Sequence, residues 1–197
     1  MITDPHDGVS FNMAPPNVSA DTVLVSHEHN DHASRKWMVL KPEGTLMDKP
    51  GSHTVKGVKV VGVATYHDEA LSTKRGDNIL FAFEVGSVRF SHLRDLGHVL
   101  SEKEVQELGP VDILMVPVGG YYTIDAKAAT EIVYKIRPRV VIPMHYKLPA
   151  LDFHISGVEA FLKGKANVKH LGRPEVNFRK AQLPVAAEID IFSLPTP

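Results

Sequence analysis

Val23-Leu24-Val25-Ser26-His27-Glu28-His29-Asn30-Asp31-His32 is an apolar run that stops abruptly in three histidines and an aspartate. The run reads as a strand over Thr22 to Ser26. In extended backbone, residues two apart point the same way, so His27 and His29 can share one ion. Asp31 and His32 come after that alternation is broken, which aims them elsewhere, most simply at a second ion beside the first. The chain has 11 histidines in 197 residues. At that frequency the His-x-His-x-Asp-His spacing arises by accident at on the order of one in 10⁵ start positions. A polar loop that is merely histidine-rich is the plainer reading, but such loops seldom follow a buried-looking strand so directly.

Working outward, 197 residues with 43% hydrophobic content can bury a substantial core and fit one domain over 1–197 better than two. With 22 basic against 23 acidic residues, net charge −1 and no block of like charge, the chain lacks the footprint of a long nucleic-acid binder. An anionic substrate would be held by metals or by a few local side chains. There is no cysteine, so imidazole and carboxylate are the available metal ligands, a set that suits zinc, manganese, iron or cobalt. No apolar run is long enough to span a bilayer, and Met1-Ile2-Thr3-Asp4-Pro5 does not open a basic-then-apolar leader, so the expectation is a cytoplasmic protein.

The opening through Pro15-Pro16-Asn17 is rich in turn formers and reads as an irregular lead-in. After the motif, Ala33 to Leu40 is expected as a short helix stopped by Pro42 and Gly44, followed by a brief strand near Thr45 to Met47. Val55 to Tyr66 reads as one β-rich run that delivers His67. Asn78 to Val85 and Val88 to His92 form a hairpin across Gly86-Ser87 and lead into His92-Leu93-Arg94-Asp95-Leu96-Gly97-His98. Ser101 and Glu104 make a capping box for a helix to about Leu108. A buried strand over Asp112 to Val118, a helix from Asp125 to Pro138 and a strand over Arg139 to Pro143 follow, the last ending in Met144-His145-Tyr146-Lys147. A helix around Val158 to Lys163 and strands near Val168 to Leu171 and Glu188 to Phe192 complete an α/β layered pattern.

Four strands thus end in His or Asp, at His27 to His32, His67, Asp95 and His145, and layered α/β proteins collect their sites outside one sheet edge. These motifs, with Pro143-Met144-His145-Tyr146-Lys147, resemble the metallo-β-lactamase superfamily. Within it they resemble the branch of metal-dependent hydrolases that includes the ascorbate-6-phosphate lactonase. The resemblance implies a four-layer αββα sandwich and a dinuclear site. It assigns His27, His29 and His67 to one ion, Asp31, His32 and His145 to the other, and Asp95 as the bridge. Two divalent ions, zinc first and manganese or iron as alternatives, would activate water against a lactone, ester or related bond, with Asp31 orienting the nucleophile or moving its proton.

The chain departs from that pattern in two places. The N-terminal hairpin that usually precedes the Asp-Pro segment is absent before Asp4, which would leave a sheet edge free for a homo-oligomer. Arg94 stands where the branch has glycine, and a cation there either repels the ions or binds an anionic substrate. Tyr146, Lys147, Arg75 and Asn78 are candidates to touch a small-molecule substrate, and His92 and His98 to support a ligand. Gly119-Gly120 reads as a turn, and His6, His53, His154 and His170 as ordinary histidines. The competing functions are a small-substrate phosphodiesterase and a metal-binding protein without turnover.

Overall fold

Ile2–Thr3 (β1) lies parallel to Ala20–Leu24 (β2), and β2 lies parallel to Leu40–Met47 (β3), making a three-stranded sheet in that order. The computed structural model describes residues 1–9, 14–15, 17–70, 72–149 and 153–194, with the backbone alone at Asn30 and Asp31. Alternation along the motif strand decides its two neighbours. Val23 and Val25 pack outward against Ala33 and Val39, which come from two short helices, Asn30–Ala33 (α1) and Lys36–Val39 (α2). Leu24 faces the other way and, with Met47 of β3, packs onto Val60 and Phe81 of the second sheet.

That second sheet has eight strands. Gly51–Val55 (β4) and Val58–Tyr66 (β5) form a hairpin, as do Asp77–Val85 (β6) and Val88–His92 (β7). Both turns place their two central residues at positive φ, Lys56 and Gly57 in the first and Gly86 and Ser87 in the second. Beyond β7 the sheet continues in parallel through Ile113–Pro117 (β8) and Val140–Met144 (β9) to Glu188–Ile191 (β11) and Val168–His170 (β10). Glu102–Leu108 (α3), Ala126–Ile136 (α4) and Glu159–Leu162 (α5) cover its far face, where Leu80, Leu114, Val116, Ile132 and Phe161 are buried together. The layers are therefore helix, sheet, sheet, helix, the expected αββα order, with an apolar interface at each of the three junctions.

Three expectations need correction. The helix expected over Ala33 to Leu40 is two single turns, and Pro42 and Gly44 lie inside β3. β3 is an edge strand, where proline sacrifices no ladder bond, and its pairing with β2 slips between Ala20 and Thr22 to absorb the extra residues. The run expected over Val55 to Tyr66 is one strand only from Val58; Val55 ends β4, across the Lys56-Gly57 turn. The lead-in contributes β1, a two-residue strand that the turn-rich composition hid. The capping box at Ser101 and Glu104 is present as read, and α4 begins at Asp125, whose carboxylate accepts the Ala128 N–H at 2.8 Å. No helix among the described residues is long and apolar enough to cross a membrane.

Candidate metal centre

β5 and β7 both run antiparallel to β6, and β7, β8 and β9 are parallel, so the C-terminal ends of these strands share one edge of the large sheet. His67, Asp95 and His145 leave from that edge, and the turn after β2 brings His27, His29 and His32 to meet them. The ligand-type nitrogens of His27, His29 and His67 all lie within 4.8 Å of one another, and those of His27 and His32 do so with a carboxylate oxygen of Asp95. Asp95 Oδ2 is 3.1 Å from His32 Nε2, 3.2 Å from His67 Nε2 and 3.9 Å from His27 Nε2. One carboxylate oxygen therefore faces three imidazoles.

Two glycines let the backbone close around this point. A Cβ on Gly97 would lie 2.3 Å from the His67 carbonyl carbon and from the Asp68 nitrogen, so the Asp95-Leu96-Gly97 turn can rest on the His67 backbone only with glycine there. The Gly97 N–H also donates to Tyr66 O at 2.9 Å. Gly119 packs against the His145 carbonyl, which a Cβ would approach to 2.2 Å. The loop after β8 is thus in close approach to the site, where a simple turn was expected.

A buried polar group behind the cluster orients it. Asp4, whose N–H donates to Leu24 O, accepts the Ser26 N–H at 3.0 Å and the Ser26 hydroxyl at 3.1 Å. Ser26 Oγ is in turn 2.8 Å from His27 Nδ1, and Asp4 Oδ2, the oxygen that accepts the Ser26 hydroxyl, lies 3.8 Å from His32 Nδ1. Carboxylates that hold the far nitrogen of a ligand imidazole fix its ring and tautomer. Asp4 is also ion-paired with Arg94. The Arg94 side chain is fully buried over the Phe81 ring, 4.9 Å from its centroid, at a φ of 58°. It faces Asp4 and Phe81, so it does not reach a substrate, contrary to one of the two roles expected for it, and Asp95 keeps its place among the histidines.

The charge states follow from this packing. Burial lowers His27 to about 4, with Asp95 opposing and the neighbouring imidazoles adding to the fall, so the ring is neutral and has a lone pair to give. Burial also works against a charged His32, but Asp4 and Asp95 outweigh it and raise that group to about 10. Burial opposes ionisation of Asp95, yet hydrogen bonds from His32 and His67 hold it well below the usual carboxylate range. Asp4 is lowered as well, by Arg94 and His32 against its burial.

The donors fit a divalent ion. His27 Nε2 is buried without a hydrogen-bond partner among the described residues while it faces the shared carboxylate oxygen. The set is imidazole and carboxylate throughout, the chemistry of zinc and its neighbours. His145 is outside the two tight groups but lines a cavity of about 250 Å³ together with His32, Asp95, Asp4, His92 and His6. The Asp31 side chain lies outside the described residues. His92 Nδ1 accepts the Arg94 N–H at 3.1 Å, and burial lowers the ring to about 3. His98 is tied to Val99 O and lies 3.6 Å from Glu104, a structural role. Asn78 is fully buried and donates to Thr65 Oγ1 and Leu93 O, so it is unavailable to a substrate. Asp4 and Ser26 were not among the sequence candidates, and His6, read as ordinary, lines the cavity.

Comparison with known proteins places this geometry. A curated relative from Anaeromyxobacter dehalogenans strain 2CP-1, named a metal-dependent hydrolase, is 30% identical over 191 residues, covering 78% of this chain and 70% of its own. Another of that name from Thermococcus onnurineus is 28% identical over 155 residues, covering 67% and 69%. A crystal structure from Thermotoga maritima, whose description proposes a Zn-dependent hydrolase of the metallo-beta-lactamase superfamily, is 39% identical, covers 97% of this chain and 88% of its own, and superposes with a TM-score of 0.78. Residues 1–145 match the family described as the beta-lactamase superfamily domain, and the chain belongs to that family.

Proposed function

We propose that this chain is a metal-dependent hydrolase that acts on a lactone, ester or related bond of a small molecule at a dinuclear site. In this reading His27, His29 and His67 hold one ion, Asp31, His32 and His145 hold the other, and Asp95 is shared. The observation that carries it is the single Asp95 oxygen within 3.9 Å of the His27, His32 and His67 nitrogens, a position that suits a bridging carboxylate. Zinc is the first choice of metal, in keeping with the donor set and with the description of the Thermotoga maritima relative. A pair of bound divalent ions supplies a water of lowered pKa and a Lewis acid for the bond under attack.

The chain's own residues do the rest. Asp4, through Ser26, holds His27 in one orientation, and it faces the far nitrogen of His32. Asp95 and the neutral His27 present their donors without reorganising. Asp31 would orient the nucleophile and carry its proton to the leaving group. Arg94, one of the two departures from the family pattern that favour a protein without turnover, is spent on Asp4, which weakens that alternative. A panel of lactones, aryl esters and bis-aryl phosphates, assayed with and without a chelator, tests the reading. Chelator-sensitive hydrolysis of the esters or lactones, lost in Asp31→Asn with its folding intact, is the expected outcome. Turnover of the phosphates alone would make it a phosphodiesterase, and metal-loaded protein inert on every substrate would refute catalysis.

A further inference from the structure

His67 faces the metal cluster on one side and a second, larger cavity on the other. That cavity, about 590 Å³, is walled by the loop after His67, by Gly97 and His98, and by the loop before α4 that carries Tyr121 and Tyr122. Its volume suits a small molecule.

Arg75 is the group that gives the cavity a chemical preference. Its guanidinium lies 5.6 Å from the centroid of the Tyr122 ring and 6.0 Å from that of Tyr121, and it makes no ion pair among the described residues. A cation–π contact with a ring face draws on the guanidinium's charge and spends none of its N–H donors. The platform is itself braced. The two tyrosine rings meet edge to face at 4.7 Å, Tyr122 is backed by Phe153 at 6.4 Å and His145 at 6.5 Å, and Tyr121 by His154 at 6.3 Å.

The loop bearing Arg75 is fastened at its root. The Asp68 carboxylate accepts the N–H groups of Ala70, Lys74 and Arg75 at 2.7, 3.0 and 2.8 Å, and the His67 N–H donates to Gly76 O. Arg75 is thereby set at a fixed place relative to His67, one of the candidate ligands. Of the acidic groups facing the cavity, Asp68 is committed to those three bonds and Asp125 to the start of α4, while Glu69 is exposed to solvent. Lys74 adds a second cation at the rim.

We propose that this cavity is the recognition pocket of the hydrolase site, and that Arg75, held over the Tyr121 and Tyr122 rings, binds a carboxylate or phosphate group carried by the substrate away from the bond that is cleaved. The proposal rests on the hydrolase reading for its substrate but not for its anion. A planar guanidinium with free donors pairs with either anion in two parallel bonds.

The test uses three nitrophenyl esters of equal acyl length, ending in a methyl, a carboxylate or a phosphate monoester. They are assayed with metal-loaded parent, Arg75→Gln, Arg75→Lys and, as a remote charge control, Lys41→Gln. Equilibrium dialysis of labelled glutarate and glycerol phosphate, with metal content measured in parallel, gives a readout independent of turnover. In the parent, one anionic ester should be preferred, which identifies the anion. Arg75→Gln should reduce that preference, read as the ratio of kcat/KM values, by about 10–100-fold, mainly through KM. Arg75→Lys should keep part of it, and Lys41→Gln all of it. An Arg75→Gln ratio equal to the parent's, or anion binding that survives the substitution, overturns the proposal. Arg75-dependent anion binding in a protein that cleaves no ester would uphold the pocket and defeat the hydrolase reading. Ester cleavage with no anion preference would do the reverse.

Discussion

Asp4 is the residue on which most depends, because three buried groups use its two oxygens: Ser26 on the way to His27, His32, and the Arg94 guanidinium. Asp4→Ala strips the partner from a fully buried cation, so it should destabilise the fold by about 3–5 kcal/mol in urea unfolding. Replacing the cation as well, in Asp4→Ala/Arg94→Met, should recover most of that stability. Metal affinity should stay down by roughly 10–100-fold in both, because the hold on the two histidines is gone. A double variant that binds metal as the parent does would show that Asp4 serves only Arg94. The ligand histidines were legible in the sequence because their spacing is local and strand geometry converts spacing into direction. Asp4 and Arg94 were not legible as partners. They lie ninety positions apart, and nothing local in either marks the other. The branch's usual glycine at position 94 also made a cation there look like an intrusion on the metals, whereas the chain spends it inward.

At the scale of elements, the site depends on loops seated against strand ends at distances that admit no side chain. Gly97→Ala would force a Cβ into the His67 and Asp68 backbone, so it should cost about 1–3 kcal/mol and lower metal content as His67 is displaced. Gly57→Ala is the matched control. Its Cβ would meet nothing within 4 Å, and at a φ of 80° it should cost about 1 kcal/mol of backbone strain with metal content unchanged. Equal metal loss in the two variants would mean the effect is global destabilisation. Elements defined by their own chemistry were legible: the Ser101 and Glu104 box, the Asp125 start of α4 and the Gly86-Ser87 hairpin. The Lys56-Gly57 turn was missed because it lacks the Asn or Asp that usually marks such a turn, and the strand before it, Gly51–Val55, is too polar to stand out as a strand. The break after α2 was misread because Pro42 and Gly44 are also tolerated in an irregular edge strand, which is a tertiary fact.

For the whole molecule, the C-terminal segment is tied to the large sheet by Asp112, which accepts two contacts from Lys180 Nζ at 2.6 Å and the Arg89 N–H at 2.9 Å. Burial pushes the Asp112 carboxyl up, but Lys180 and Arg89 outweigh it and hold it below its ordinary 3.8. A carboxyl lowered in the folded state adds stability above its unfolded pKa, and that contribution is lost as pH falls through the lower folded value. The parent's stability should therefore decline from about pH 4 downward more steeply than that of Asp112→Asn, as urea midpoints across that window would show. Parallel slopes would remove Asp112 from the acid response. The layered αββα plan was legible from the alternation of strands and helices and from the histidines at strand ends. The 590 Å³ cavity was not, since it is assembled from three loops with no shared motif. In the proposed site Asp95 joins two ions held by the strand-end histidines. Elemental analysis of protein purified without added metal, beside His29→Ala and Asp95→Ala, tests it most directly. A dinuclear site should give near two equivalents of zinc, manganese or iron per chain, falling in both variants; near one equivalent, with Asp95→Ala indistinguishable from the parent, would contradict it.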